Sequence, residues 1–171
     1  MKGDERMKDR ANSHVEGQEE TQRDKFLTFS LGKEYYGLGI RYVTEIIGIQ
    51  HITDIPELPD YIKGIINLRG SIIPVMDVRL RFKKTFREYD DRTCIIVVDV
   101  QDTSVGLIVD AVSEVVTILD EDIVTPPRMS QMSGNRYIKG IGKIGDEVTL
   151  LLDCDKLLSQ DDVQMLDEAI V

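Results

Sequence analysis

The sequence predicts an all-β protein built from two similar small barrels and closed by one short helix. Three observations carry that expectation: many short β-branched runs, an internal duplication, and an amphipathic pattern confined to the last residues. From Phe26 onward the chain reads FLTFSL, YYGLGI, EIIGI, IINL, SIIPV, CIIVVDV, VGLIVDAV, EVVTIL, YIKGIG and VTLLLD, separated by Gly, Pro and Asp. Close spacing of such runs with turn residues between them is the pattern of a sandwich or barrel. Arg69-Gly70 and Gly145-Asp146 are candidate tight hairpin turns. Pro74 interrupts a strand-like run and has no N–H for a ladder, which predicts an edge or a bulge there and makes that edge a candidate docking surface.

The two ends of the chain differ from this texture. Residues 1–25 hold six Lys/Arg and seven Asp/Glu with few apolar side chains, so they read as a disordered charged tail. Residues 159–171 begin with Ser159 and the acidic pair Asp161 and Asp162, then repeat Val163, Leu166 and Ile170 on one face. This predicts a short helix with an N-cap.

The duplication is the most informative feature. Tyr61-Ile62-Lys63-Gly64-Ile65 recurs 76 residues later as Tyr137-Ile138-Lys139-Gly140-Ile141, and the same offset carries Asp77 onto Asp153. Upstream, Gly37-Leu38 matches Gly106-Leu107 at an offset of 69, which also pairs Val43 with Val112, Glu45 with Glu114 and Ile46 with Val115. Two halves, roughly 26–90 and 91–158, therefore share one plan, and the barrels are packed together or intertwined. Asp77 and Asp153 each end a strand ahead of a short leucine-containing run, so each is expected to cap a helical turn.

The repeat also acts as an internal control. Agreement between copies, as at Gly64/Gly140, points to a shared backbone requirement such as a turn glycine. Disagreement marks what the fold does not dictate. Asn67-Leu68-Arg69-Gly70 aligns with Lys143-Ile144-Gly145-Asp146, so Arg69 has no counterpart. It is either a solvated turn residue or a guanidinium free for bidentate contact with a partner. Glu45 and Glu114 occur in both copies amid apolar neighbours, so they either face solvent or pair with a cation.

Charge and chemistry narrow the function. With 21 Lys+Arg against 31 Asp+Glu the net charge is −10, mostly on the folded part, which disfavours nucleic acid or an anionic membrane and favours protein partners. No apolar run is long enough to span a membrane and the first residues lack a secretory pattern, so a cytoplasmic location is expected. Cys94 and Cys154 sit in or beside apolar runs and read as buried thiols rather than a disulfide framework. The two histidines, His14 and His51, have no partners at metal-ligand spacing, and no nucleophile elbow, phosphate loop or zinc motif occurs. Neither a catalytic residue, a metal site nor a cofactor is expected. A small-barrel enzyme or ligand-binding protein would require a closed pocket with convergent polar groups.

The run IPELPDYIKGIINLRGSIIPVMDVRLRF, with YYGLGIRYVTEIIG before it and VGLIVDAVSEVV and YIKGIGKI after it, resembles the CheW-like family of bacterial chemotaxis across about Phe26 to Leu158. Its most specific part is Gly64 to Asp77 with NLRG ahead of the second strand. The resemblance implies two SH3-like five-stranded barrels around a shared core. It also implies a non-catalytic adaptor joining methyl-accepting receptors to the histidine kinase CheA, with the kinase's C-terminal regulatory domain on one barrel and the receptor tip in a groove near the junction. Carried over position by position, the partner-binding residues it implies are Val43, Glu45, Gly64, Arg69, Gly106, Val112 and Val115.

Overall fold

The computed structural model describes residues 22–126 and 135–170. The charged tail expected at the N-terminus falls outside the described residues up to Thr21, and Lys25 already opens the first strand. Strands β1 (Lys25–Leu31), β2 (Glu34–Gly39), β3 (Val43–Gly48), β4 (Ile62–Leu68) and β5 (Ser71–Asp77) lead to a one-turn helix, α1 (Val78–Arg81). Then come β6 (Cys94–Val100), β7 (Thr103–Val109), β8 (Ala111–Thr117), β9 (Ile123–Val124), β10 (Ile138–Ile144) and β11 (Glu147–Leu152). Two helices, α2 (Cys154–Leu157) and α3 (Gln160–Ile170), close the chain.

The strands form two sheets, β8-β1-β2-β11-β10-β9 and β3-β6-β7-β5-β4. The all-β duplicated architecture and the C-terminal helix are therefore as the sequence predicts, with one sheet of six strands rather than five. The sixth is the two-residue β9 against β10, and its equivalent in the other sheet is the isolated bridge Thr53 to Ile65. Each sequence repeat contributes to both sheets. The chain passes from one sheet to the other at the 3-10 turn Ile40–Tyr42 and returns at Asp110, so residues 43–109 build the five-stranded sheet without a break.

The repeats meet at two antiparallel pairings, β1 with β8 and β3 with β6, and at two parallel seams, β2 against β11 and β5 against β7. Glycines recur there because the seam is crowded. A Cβ on Gly37 would lie 2.8 Å from a Leu151 methyl, and one on Gly106 would lie 2.7 Å from Ile95 and 2.9 Å from Val75. The sequence places Pro74 at an edge or bulge. β5 is an interior strand, so the edge expectation fails, while a bulge in β4 does lie beside it, opposite Val75 and Met76; Pro74 is tolerated because its ladder with β7 begins only at Val75.

A central core draws Phe29, Tyr36 and Leu38 from β1 and β2, Val98 and Leu107 from β6 and β7, and Leu152, Leu157 and Leu166 from the C-terminal elements. Each sheet adds its own small cluster, Ile66, Val75, Ile95, Val97 and Ile108 in one and Phe26, Ile118 and Leu151 in the other. Each fully buried aliphatic side chain stabilises the fold by roughly 1.5–3 kcal/mol relative to exposure. Cys154 is buried in the central core, which pushes its thiol up to about 12, and Cys94 is half-buried, so both remain free thiols.

The duplicated aspartates cap the short helices as expected. Asp77 accepts from the Leu80 N–H, and Asp153 accepts from Asp155 and Lys156. Their own N–H groups donate at 2.8 Å to the carbonyls of Tyr61 and Tyr137, which makes the equivalence structural. Helix α3 begins with a reciprocal cap: Ser159 Oγ accepts from the Asp162 N–H, while Asp162 Oδ2 accepts from the Ser159 N–H. Asp162 also pairs with Arg81 at 2.8 Å and accepts from the Tyr61 hydroxyl at 2.9 Å. Arg81 in turn lies over the rings of both repeated tyrosines, Tyr61 and Tyr137. Helix α3 is thereby fastened to the point where the two copies meet.

Candidate partner-binding surface

The β4–β5 hairpin has a two-residue tip with both residues left-handed, Arg69 at φ 52° and Gly70 at φ 87°. That is the I′ geometry that matches the twist of paired strands. The Asn67 side chain closes the turn by accepting from the Gly70 N–H at 2.9 Å. The NLRG motif is thus a turn specification with one anomaly. An arginine in the left-handed region costs on the order of 1 kcal/mol relative to glycine. The equivalent tip in the second copy has Gly145 at φ 59° and then Asp146 without positive φ, the pattern of a II′ turn.

Arg69 reaches across to the opposite edge of its sheet, where its Nη1 donates to Glu45 Oε2 at 2.9 Å. The side chain of Arg69 is 77% exposed and that of Glu45 only 26%. Glu45 is positioned by a bulge in β3, where the register with β6 shifts between Val43 and Glu45 and the Thr44 hydroxyl donates to the Val97 carbonyl. The other carboxylate oxygen, Oε1, is buried and finds no donor among the described residues. Such an oxygen forfeits hydration without recompense and is a ready acceptor for an incoming donor. Glu45 and Arg69 border a groove of about 420 Å³ whose walls include Thr44, Ser71, Ile72 and Ser104.

The remaining sequence-derived residues divide by burial. Val115 is exposed on β8, an edge strand of the six-stranded sheet, while Val43 and Val112 are half-buried and pack against the central core. Gly64 and Gly106 are buried within strands rather than at turns, which corrects the turn-glycine expectation. Gly64 follows a bulge in β4 at φ 142°, and a Cβ there would lie 2.0 Å from the Thr53 carbonyl oxygen. Its copy Gly140 also follows a bulge, with a side-chain methyl of Ile123 at 2.5 Å. Glu114, the repeat of Glu45, is exposed and uses only its backbone, which exchanges hydrogen bonds with the Thr28 hydroxyl. The two glutamates therefore share a position and not a role.

The sequence reading did not single out two exposed apolar residues as candidates, Ile72 in the groove wall and Ile46 next to Glu45 on β3. Ile46 at 44% and Ile72 at 52% exposure have the exposed repeats Val115 and Val148 at 51% and 54%. Each sheet thus presents a matched pair of uncovered aliphatic side chains. The offsets of 69 and 76 contained that signal, because an apolar residue kept in both copies and facing solvent in a half-buried strand is not needed for the core.

A family model described as CheW-like domain matches residues 25–162. The chain belongs to the CheW-like family. It is 38% identical over 148 residues to the chemotaxis protein CheW of Klebsiella aerogenes, covering 86% of this chain and 89% of that one. It is 34% identical over 146 residues to CheW of Treponema pallidum, covering 83% and 86%. Among solved structures it superposes with TM-score 0.74 and 38% identity on the scaffolding protein TtCheW of Thermoanaerobacter tengcongensis, covering 82% of this chain and 90% of that one. The CheW family is one of chemotaxis scaffolds and adaptors rather than enzymes. Most of α3 lies beyond the matched residues.

Proposed function

We propose that this chain couples methyl-accepting chemotaxis receptors to the histidine kinase CheA, catalyses no reaction, and is recruited from the cytoplasm to receptor arrays. The observation that carries the reading is the Arg69–Glu45 pair. An exposed arginine is held in a strained turn that the second copy of the fold does without, against a carboxylate with one acceptor left unused. Strain joined to an unused buried acceptor at an exposed position is what motivates the functional reading. Beside it, Ile72 supplies apolar area of the kind that dominates interface energy. In this reading Glu45, Arg69 and Val115 touch partners, Val43 and Val112 shape the strands that do, and Gly64 and Gly106 act through the fold. Coupling by several modest contacts needs no catalytic group, because joining them in one assembly multiplies their strength.

Co-purification with a receptor cytoplasmic fragment and CheA should recover a three-component complex. Recovery of no complex with either cognate partner overturns the proposal. In the same reconstitution Arg69→Ala should leave the protein folded and impair kinase activation.

A further inference from the structure

A second surface, far along the chain from the Arg69 hairpin, has the character of an anion site. A pocket of about 300 Å³ opens where the end of β2 and its following turn meet β10 and β11. Its floor includes the buried side chains of Phe26 and Leu151, and Arg23, Arg41 and Lys139 line it. Asp120 is the one carboxylate among the lining residues, and it is engaged by Arg23 at 3.1 Å. Among the described residues neither Arg41 nor Lys139 has a carboxylate within ion-pair distance: Arg41 donates to the Tyr42 hydroxyl, and Lys139 lies 5.8 Å from the centroid of the Phe26 ring.

Together they give the pocket a positive rim in a chain of net charge −10. The repeat shows that the fold does not require a cation at residue 41, whereas lysine is kept at residue 139 and at its copy. Arg41 is equivalent, at the offset of 69, to Asp110, which is already satisfied by Arg79, by Arg87 and by the Gly32 N–H. Lys139 is equivalent to Lys63, whose ammonium rests over the Phe86 ring. In one copy the position is a closed ion-pair cluster, and in the other it is an open pocket of reversed charge.

We infer that the pocket between Arg41 and Lys139 binds an acidic peptide segment of a protein partner, taking a carboxylate at its cationic rim and a neighbouring aliphatic side chain against the half-buried Ile123. The rim supplies charge-assisted donors, and the apolar contact favours a peptide over a free inorganic anion. The assignment rests on this pocket alone and does not depend on the Arg69 surface.

The test is a titration of the full chain, followed through the Leu151 methyl and the Arg41 and Lys139 side-chain resonances. The probe is the acetylated, amidated peptide Glu-Leu-Glu-Leu-Glu, with its glutamine analogue and sodium phosphate as separate arms. Saturable shifts with the glutamate peptide alone are expected, weakened about tenfold or more in the R41Q/K139Q double variant. Its unfolding midpoint should stay unchanged because both side chains are exposed. Equal binding of the glutamine analogue, equal binding of phosphate, binding undiminished in the double variant, or no saturable shift at millimolar peptide each overturns the inference.

Discussion

The two hairpin tips of this molecule, Arg69-Gly70 and Gly145-Asp146, occupy equivalent places in a duplicated fold and differ in nearly everything else. One is closed by an asparagine side chain, holds an arginine in a left-handed conformation and ties it to the far edge of its sheet. The other places glycine at the strained position and has no comparable tether among the described residues. The fold is satisfied by the second arrangement, so the strand pairing does not require the first. The same logic separates Gly64 from Arg69. The glycine is repeated because both places are crowded, by backbone at residue 64 and by the Ile123 side chain at residue 140, and the arginine is not repeated because nothing in the strand pairing calls for it.

The largest test of that separation is Gly64→Ala against Gly140→Ala. A methyl at residue 64 meets a backbone oxygen, which has nowhere to move, at a φ that alanine avoids, so a loss of more than about 4 kcal/mol or outright failure to fold is expected. At residue 140 the obstacle is an isoleucine side chain that can repack, and a loss of about 1–3 kcal/mol is expected. Urea unfolding of both variants decides it, and equal losses would break the comparison.

Next in size is the joint between the copies. Arg81→Ala removes the cation between Tyr61, Tyr137 and Asp162 and leaves a largely buried carboxylate without its charge partner, for a loss of about 2–4 kcal/mol. The carboxyl of Asp162 lies below the usual carboxylate range. Burial alone would raise it, but hydrogen bonds from Ser159 and Tyr61 and the charge of Arg81 outweigh that effect. The contribution is therefore complete above about pH 4 and is lost as pH falls through the depressed folded value. Hydrogen exchange should show α3 loosening on acidification, and in Arg81→Ala the acid sensitivity should shrink.

The smallest effects on stability belong to the tip itself. Arg69→Ala should stay within about ±0.5 kcal/mol, and Arg69→Gly, which copies the second tip, should gain about 0.5–1 kcal/mol by relieving the left-handed strain. Both should impair kinase activation. A variant that gains stability and keeps full coupling would show that the strain serves no partner.

Much of this could be read from the sequence because it is local or repeated. The strand runs, both hairpin tips, the aspartate caps and the C-terminal helix all follow from short-range pattern and turn chemistry. What escaped depended on contacts between residues far apart in the chain. The sequence matches Gly37 with Gly106 but does not say which sheet either joins, since a repeat offset is the same for packed and for exchanged halves. Pro74 pointed to a nearby bulge but not to an edge, because a missing N–H forbids only one ladder, and strand order decides where that ladder begins. Glu45 and Arg69 were separately prominent, yet their contact is created by the sheet bringing its two edges together. The Arg41 pocket was invisible for the same reason, its lining coming from both ends of the chain.

The passage of the chain between sheets at Ile40–Tyr42 and at Asp110 has a consequence for how this protein can transmit anything. The five-stranded sheet behaves topologically as a module inserted into the six-stranded one, tethered by two covalent threads at equivalent points of opposite charge, Arg41 and Asp110. A boundary drawn at the repeat, near residue 90, would cut a loop inside the inserted module. Cuts at the two threads would instead leave each sheet's hydrogen bonding whole. Partners seated on different sheets can therefore influence one another through the shared apolar core, those two crossings and the ion pairs that bridge the sheets, Arg81 with Asp162 and Lys84 with Glu34.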